Sequence, residues 1–286
     1  MCRKTSYLAA ALALLLLAGC GHTEGHYAPP SASPTVTVPA TQPAPTPEPT
    51  PEPTPEPTSE PTPVAELYQF GTPVAESEPV EDDSFFDNAV FLGDSRTDGL
   101  KLFSGLKHGT FYHANGMTVF RADDPKYKVF SVDGEDCTLV GAVSKHSYDA
   151  VYIMIGVNEL GYSAESYETG LAELVDKVLA AQPEAVVYLQ IMPPLNDAIC
   201  RANNLASFIN NANLSKFNEA IVRVAAEKKV ALLNTAEVYT GEDGQLPAEL
   251  ASDGCHFVYS GYKPWADYLR SHVIDRDLYF QSRENG

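Results

Sequence analysis

Basic side chains are scarce in this sequence. Its 286 residues include 19 lysines and arginines against 38 aspartates and glutamates, a formal net charge of −19. A nucleic-acid-binding face needs basic side chains to neutralise phosphates, and adsorption to an anionic membrane surface needs them too. The charge balance therefore argues against both classes of protein, while the 44% of hydrophobic residues is enough to build a core.

Cysteine is scarce as well. The chain has five cysteines, with no Cys-x-x-Cys pair and no Cys/His spacing typical of a metal site. Three of them, Cys137, Cys200 and Cys255, lie beyond the first twenty residues. One disulfide among them is possible, but three small buried thiols are favoured. We expect no metal and no cofactor.

The apolar run at the amino terminus, Leu8 to Ala18, is shorter than the ~20 residues that a membrane-spanning helix takes. It follows Arg3 and Lys4, which is the layout of a secretory signal. The run ends in Leu17-Ala18-Gly19-Cys20, which resembles the bacterial lipobox, whose cysteine is lipidated and becomes the mature amino terminus. We therefore expect residues 1–20 to be a lipoprotein signal peptide. The lipid on Cys20 would then anchor a bacterial protein to the extracytoplasmic face of the cell membrane. An ordinary signal peptide is the alternative.

Proline is concentrated in one segment, because 16 of the 22 prolines lie between Pro29 and Pro79. Pro43 to Pro63 has proline at nearly every second position, which favours polyproline II, and its spaced glutamates repel one another. Such a stretch is a semi-rigid spacer. Residues 21–83 are therefore predicted to be a disordered linker rich in Pro, Thr and Glu. Recognition of the proline-rich run by a partner protein is the alternative.

Beyond this linker, short apolar runs alternate with amphipathic stretches, which predicts one folded domain over residues 84–286. The predicted strands are 88–92, 111–114, 150–155, 185–189 and 230–234, and the predicted helices are 95–103, 138–147, 164–181, 205–229 and 262–274. Strands separated by helices favour an α/β fold. We expect a three-layer α/β/α domain with a flavodoxin-like parallel sheet of about five strands. The interval 117–136 has no clear regular structure, and we expect its aromatic residues either to bind sugar or to pack under the loop.

Polar residues follow the predicted strands, where a parallel sheet binds its ligand. Gly93-Asp94-Ser95 follows the first strand, Asn115-Gly116 the second, and Gly156-Val157-Asn158-Glu159 the central one, while Asp253-Gly254-Cys255-His256 precedes the last helix. A Ser, a Gly, an Asn and an Asp-x-x-His in this order resemble the four blocks of the SGNH (GDSL-type) serine hydrolases. The resemblance spans residues 89 to 262.

The resemblance implies a role for each block. A serine hydroxyl becomes a nucleophile when a base takes its proton, so Ser95 is the expected nucleophile and His256 its base. Asp253 would fix the tautomer of the imidazole, completing a Ser-His-Asp triad. The Ser95 and Gly116 amides and the Asn158 side chain would form the oxyanion hole.

Two residues depart from the family pattern. The third block usually ends in Asp, where this chain has Glu159, so the support that the aspartate would give to Asn158 is missing. The first block often continues with Leu, where this chain has Arg96. We expect Arg96 to lie on the helix surface; the alternatives are an ion pair with Glu159 or Asp94, or contact with an anionic substrate. Cys255 is expected to be a small apolar filler, and Met192 to Asn196 are expected to border the substrate pocket.

These observations predict an extracellular, membrane-anchored serine esterase that removes short acyl groups, acetyl above all, from carbohydrate or cell-wall glycan. A lysophospholipase or thioesterase acting on long acyl chains is the enzymatic alternative. A binding lipoprotein that keeps the fold without turnover is the non-enzymatic alternative, and Glu159 is the only feature in its favour. The expected partners are an ester substrate and the membrane, with no nucleic acid.

Overall fold

The computed structural model describes residues 66–286. The predicted signal peptide, Cys20 and linker residues 21–65 lie outside the described residues.

A five-stranded parallel sheet forms the centre of the domain, as predicted. Its strands are apolar and almost wholly buried apart from the partly exposed edge strand β2, because helices cover both faces. The strands are β1 (Ala89–Gly93), β2 (Thr110–His113), β3 (Phe130–Val132), β4 (Glu135–Cys137), β5 (Ala150–Met154), β6 (Val186–Gln190) and β7 (Ala231–Leu233). The order in the sheet is β2-β1-β5-β6-β7, with β3 and β4 in a separate hairpin. The predicted flavodoxin-like, three-layer α/β/α architecture is confirmed.

Seven helices accompany the strands in the described part of the chain. They are α1 (Ser95–Phe103), α2 (Leu139–Val143), α3 (Ala164–Ala181), α4 (Asp197–Ala202), α5 (Asn211–Glu227), α6 (Lys263–Ser271) and α7 (Arg276–Asn285). The long helix predicted over 205–229 begins six residues later, because Asn210 caps it by accepting a hydrogen bond from the Asn213 amide. Phe208, predicted on its apolar stripe, precedes the helix and is exposed.

The interval 117–136 holds more regular structure than predicted. Asp133 and Gly134 have φ of 53° and 80° and connect β3 to β4. An Asp-Gly pair is a known hairpin signal, so this pair explains why the interval folds as a hairpin. Phe130 is buried and Tyr127 is partly buried, so these two aromatic residues pack under the loop, whereas Phe120 is exposed.

Residues 66–83 lie within the predicted linker, yet they contact the folded domain. The Val74 amide donates to the Leu232 carbonyl oxygen of β7 (2.8 Å), and the Ser77 and Val80 amides donate to carbonyls at the end of α6 (2.7 and 2.9 Å). Val74 is buried, and Tyr68 and Phe70 pack against the core. This segment, which we call the strap, covers the β7 edge, so the folded part of the chain begins before the predicted boundary at residue 84.

Cys137, Cys200 and Cys255 are free and buried, as favoured by the sequence. Within residues 66–286, no helix is both long enough and apolar enough to cross a membrane.

Candidate active site

Ser95 stands where β1 ends and α1 begins, at the carboxyl edge of the sheet. Asp94 caps the helix by accepting a hydrogen bond from the Arg96 amide (2.9 Å). Gly93 permits this tight strand-to-helix connection, since a Cβ there would lie 1.7 Å from Thr97 Oγ1. The sharp turn holds the Ser95 side chain at the first position of α1, where it is partly exposed.

A chain of hydrogen bonds joins the three residues predicted to form the triad. Ser95 Oγ lies 2.8 Å from His256 Nε2, and His256 Nδ1 lies 2.8 Å from Asp253 Oδ2. The imidazole thus has a carboxylate on one nitrogen and the serine hydroxyl on the other. This arrangement allows the ring to accept the hydroxyl proton while the carboxylate holds the tautomer.

Asp253 is fixed by the loop that carries it. Its Oδ1 accepts hydrogen bonds from the amides of Cys255 and His256, both at 2.8 Å. Partial burial raises the pKa of Asp253, but the bonds from the His256 ring and from these two amides outweigh burial and hold the pKa below its ordinary value. Asp253 is therefore a carboxylate throughout the neutral pH range.

Close packing at Gly254 sets the shape of the same loop. This residue has φ of 96°, and a Cβ would lie 2.4 Å from the Cys200 amide nitrogen. Only glycine both adopts this positive φ readily and leaves room for the Cys200 amide.

The predicted oxyanion residues come together at the same edge. Asn158 Nδ2 donates to the Met117 carbonyl oxygen (3.0 Å), beside Gly116, and lies 3.5 Å from Asp94 Oδ2, beside Ser95. Gly116 has φ of 71°, and the nearest atom to a Cβ there would be Arg121 Nη1 at 3.7 Å, so this side of the loop is open. Among the described residues, the amides of Ser95 and Gly116 have no hydrogen-bond acceptor. Both donors remain available to a ligand.

Glu159 is fully buried behind Asn158. Its Oε1 accepts a hydrogen bond from the Val119 amide (2.7 Å), while Oε2 has no partner in the described part of the chain. Burial raises the pKa of Glu159 to about 8; the Val119 bond opposes this rise and the nearby Asp94 reinforces it. The Asp expected here is thus replaced by a carboxyl that ties the Gly116 loop to the Asn158 turn and is mostly protonated at neutral pH.

Arg96 does not lie on the helix surface, and that expectation is wrong. Its side chain is buried, with Nε donating to the Cys255 carbonyl oxygen (3.1 Å) and Nη1 to the Pro193 carbonyl oxygen (3.4 Å). It makes no ion pair with Glu159 or Asp94 in the described structure. Burial raises the pKa of Asp94, and the charge of Arg96 opposes only part of this rise. Arg96 therefore braces the loop of His256 against the loop after β6.

The segment after β6 is joined to the loop that carries Asp253 and His256. The Asn196 amide donates to the Gly254 carbonyl oxygen of that loop (2.8 Å). That Met192 to Asn196 border the substrate pocket stays a prediction. Cys255 is buried, consistent with the expected filler role.

Three exposed aromatic residues lie on loops of the domain: Phe120, Tyr162 and Phe208. Phe120 belongs to the interval 117–136, whose aromatic residues are expected to bind sugar or to pack under the loop. Tyr162 and Phe208 are not predicted as exposed rings, because lone aromatic residues on different loops form no pattern along the chain.

Similarity to known proteins agrees with this geometry. The model of the GDSL-like Lipase/Acylhydrolase family matches residues 91–263, more than half of the chain. A curated protein of Acetivibrio thermocellus, provisionally named endoglucanase X, is 25% identical over 133 residues, which are 46% of this chain and 53% of that protein. The chain thus spans about half the length of this relative.

Solved structures align with this chain at low sequence identity. A Streptococcus pneumoniae structure, provisionally described as a platelet activating factor, aligns with a TM-score of 0.50 and 20% identity over 64% of this chain and 81% of its own. A GDSL-like lipase from Bacteroides thetaiotaomicron aligns with a TM-score of 0.45 and 17% identity over 73% of this chain and 92% of its own. From its four sequence blocks, its fold and the family match, the chain belongs to the GDSL-like (SGNH) lipase/acylhydrolase family, whose members are hydrolases acting on ester bonds.

Proposed function

We propose that this protein is a serine esterase that removes short acyl groups, acetyl above all, from carbohydrate or cell-wall glycan. The observation that carries the proposal is the continuous hydrogen-bond chain from Ser95 through His256 to Asp253. A hydrolytic triad needs this chain of hydrogen bonds. Capping of α1 does not explain Ser95, because Asp94 is the residue that caps this helix.

In the first half-reaction, Ser95 Oγ attacks the ester carbonyl carbon while its proton passes to His256 Nε2. Asp253 accepts the Nδ1 hydrogen bond and stabilises the imidazolium. The tetrahedral intermediate then collapses, the bond to the alcohol oxygen breaks, and His256 returns the proton to that oxygen. The products of this half-reaction are a free hydroxyl on the substrate and an acyl ester on Ser95.

In the second half-reaction, water attacks the acyl carbon and gives one proton to His256. Collapse of the second intermediate breaks the bond to Ser95 Oγ, which takes the proton back, and the carboxylic acid leaves. In both steps the oxyanion accepts hydrogen bonds from the Ser95 and Gly116 amides and from Asn158 Nδ2. Glu159 and Arg96 act only by holding the loops on which these groups lie.

Two observations support a short acyl group on a glycan. The side chains of His256 and Asp253 are 36% and 33% exposed, and Ser95 is partly exposed, so the site is open to a bulky substrate. The A. thermocellus relative carries a name that refers to glucan chemistry. An open site surrounded by polar groups suits an acetylated hydroxyl on a large polar polymer better than a long alkyl chain.

The same proposal includes the location. Lipid on Cys20, with a proline-rich spacer behind it, would hold the domain outside the membrane and within reach of wall or external glycan. Replacing Cys20 with serine should move the protein from the detergent phase to the aqueous phase on partitioning. Retention in the detergent phase would contradict the anchor.

The test of the catalytic assignment is Ser95→Ala in the full-length chain. We expect loss of nitrophenyl acetate hydrolysis and of labelling by a fluorophosphonate probe, with a nearly unchanged thermal midpoint. Ser144→Ala, an exposed serine in the same domain, is the matched control and should behave like wild type. Substantial residual hydrolysis in Ser95→Ala would remove Ser95 as the nucleophile.

A further inference from the structure

Three aromatic rings form an exposed cluster on the segments that follow Gly116 and Asn158 and on the segment that precedes α5. Phe120, Tyr162 and Phe208 are 41%, 59% and 43% exposed. The rings of Phe120 and Tyr162 are 5.0 Å apart between centroids, and the Phe208 ring covers Gly161, the neighbour of Tyr162. We call these three residues the rim cluster.

The rim cluster is held in place by specific contacts. A Cβ on Gly161 would lie 3.3 Å from three atoms of the Phe208 ring, so the glycine lets this ring pack closely on the backbone. Asn213 Nδ2 donates to the carbonyl oxygens of Leu160 (3.3 Å) and Phe208 (3.0 Å), which joins the two segments. On the other side, Phe120 rests against Gly170 of α3. The rings are therefore fixed while their outer faces meet water.

The position of the rim cluster links it to the chemistry. Phe120 follows Gly116 by four residues, and Tyr162 follows Asn158 by four, so each ring stands on the segment that carries one oxyanion donor. The bond from the Val119 amide to Glu159 Oε1 joins these two segments directly before the rings. A substrate whose carbonyl oxygen lies in the oxyanion hole thus has the rim cluster on its Gly116–Asn158 side.

We propose that the rim cluster is a sugar-binding subsite, which stacks against the apolar face of a pyranose ring next to the sugar that carries the scissile ester. This inference rests on the proposed glycan esterase function and assigns the residues that recognise the polymer. Fixed, exposed aromatic rings offer a large contact area at low entropic cost. An exposed group of this kind marks an interaction site more often than a random surface does.

A sugar fits these rings better than an acyl chain does. Binding of an alkyl chain is favoured in proportion to the chain area that is removed from water, so it requires a site that surrounds the chain. Rings that are half exposed do not surround it. A pyranose needs only one apolar face covered, and its hydroxyl groups need polar neighbours. Such neighbours flank the rings in the sequence: Arg121 follows Phe120, and Ser163 follows Tyr162.

The experiment compares three substrates on the full-length chain: nitrophenyl acetate, an O-acetylated glucose monosaccharide, and a partially O-acetylated β-1,4-linked glucose tetrasaccharide. For Phe120→Ala, Tyr162→Ala and Phe208→Ala we expect KM for the tetrasaccharide to rise roughly 5- to 10-fold per ring. Both kcat and KM for nitrophenyl acetate and for the monosaccharide should stay within about twofold of the wild-type values. Tyr162→Phe, which keeps the ring, should retain the wild-type KM. Phe85→Ala, an exposed phenylalanine before β1, is the matched control.

The outcomes separate this inference from the proposed function. Cleavage of the tetrasaccharide with unchanged KM in all three variants would overturn the subsite and leave the glycan esterase intact. Equal losses on nitrophenyl acetate would show that the rings only support the fold. If wild type cleaves nitrophenyl acetate and neither acetylated sugar, the glycan function fails, and the subsite fails with it.

Discussion

At the residue scale, Asn158 is the donor whose surroundings are most informative. Its amide nitrogen donates to the Met117 carbonyl oxygen (3.0 Å) and makes a longer hydrogen bond to Asp94 Oδ2 (3.5 Å), and the longer bond is the one that a substrate oxyanion can replace. The bond to Met117 orients the amide before substrate arrives, which is what preorganised stabilisation of developing charge requires.

We expect Asn158→Ala to lower kcat by ~10²–10³, the usual loss for one oxyanion donor. KM should change less, because the donor acts on charge that develops in the transition state. Steady-state kinetics on nitrophenyl acetate measure both constants. Asn203→Ala, an exposed asparagine at the end of α4, is the control. A change confined to KM would mean that Asn158 positions the substrate.

Glu159 leads to a prediction about pH and stability. Burial disfavours the charged form of Glu159 and raises its pKa in the folded protein from the ordinary value of 4.5 to about 8. Between these values the unfolded chain has released the proton and the folded chain still holds it, so the wild type loses stability as pH rises through this window. The ionisable groups that interact electrostatically with this carboxyl are Asp94, Arg121 and Tyr167.

We therefore expect Glu159→Gln, which keeps an acceptor for the Val119 amide, to gain stability relative to wild type as pH rises from about 5 to about 8. The gain should be at most about 1.4 kcal/mol per pH unit and should level off above that window. Urea unfolding at several pH values measures it, with the exposed Glu165→Gln as control. A constant difference across this range would show that Glu159 is ionised in the folded protein.

The residues of the site differ in how far the sequence predicts them. Ser95, Gly116 and Asn158 lie in short blocks after strands, and their meeting follows from the parallel sheet. Asp253 and His256 lie in a block before α6, and the family resemblance, not the sheet, predicts their place at the site. Arg96 is different, because its burial depends on carbonyl groups of Cys255 and Pro193, more than 90 residues away along the chain. No local pattern indicates such acceptors, and a helix arginine without them belongs on the surface.

At the scale of elements, the five strands of the sheet are predicted to within about one residue. Four of them are buried apolar runs, and the partly exposed edge strand β2 carries the weaker signal. Helix α7 has no such signal. Most of its residues are polar, and only Tyr279 and Ser282 are buried. The strap is missed for a related reason: its proline content indicates a linker, and its few apolar residues find partners only after the β7 edge has formed.

The strap leads to a prediction about truncation. A chain that begins at residue 84 loses the burial of Val74, the contacts of Tyr68 and Phe70, and the ion pair of Asp83 with Arg270 at 2.7 Å. We expect its free energy of unfolding to fall by roughly 2–4 kcal/mol relative to a chain that begins at residue 66. Denaturant unfolding measures the difference. kcat on nitrophenyl acetate should stay unchanged, since the strap lies on the β7 edge. Equal stability of the two chains would show that the strap contacts contribute nothing.

At the scale of the whole molecule, the positions of the cavities bear on the length of the acyl chain that the enzyme prefers. A cavity of about 540 Å³ lies at the opposite, amino-terminal edge of the sheet, lined by Phe85, Ala89, Val186, Tyr188 and other residues. Cavities of about 340 and 210 Å³ lie near the loops after β6. None of these three is lined by Ser95 or His256. The apolar volume they provide is therefore separate from the reacting atoms.

This separation predicts the acyl preference of the enzyme. A long acyl chain is favoured only where each CH₂ leaves water, at ~0.8 kcal/mol, and none of these three cavities is lined by Ser95. We expect acetyl and propionyl esters to be cleaved with far higher kcat/KM than octanoyl or longer esters. A nitrophenyl ester series from two to twelve carbons, kept below micelle concentrations and assayed on the full-length chain, measures the preference. Ser95→Ala gives the uncatalysed background at each length. A maximum at eight carbons or beyond would require an apolar channel reaching Ser95, and it would favour a lysophospholipase-like or thioesterase-like acylhydrolase over the glycan esterase.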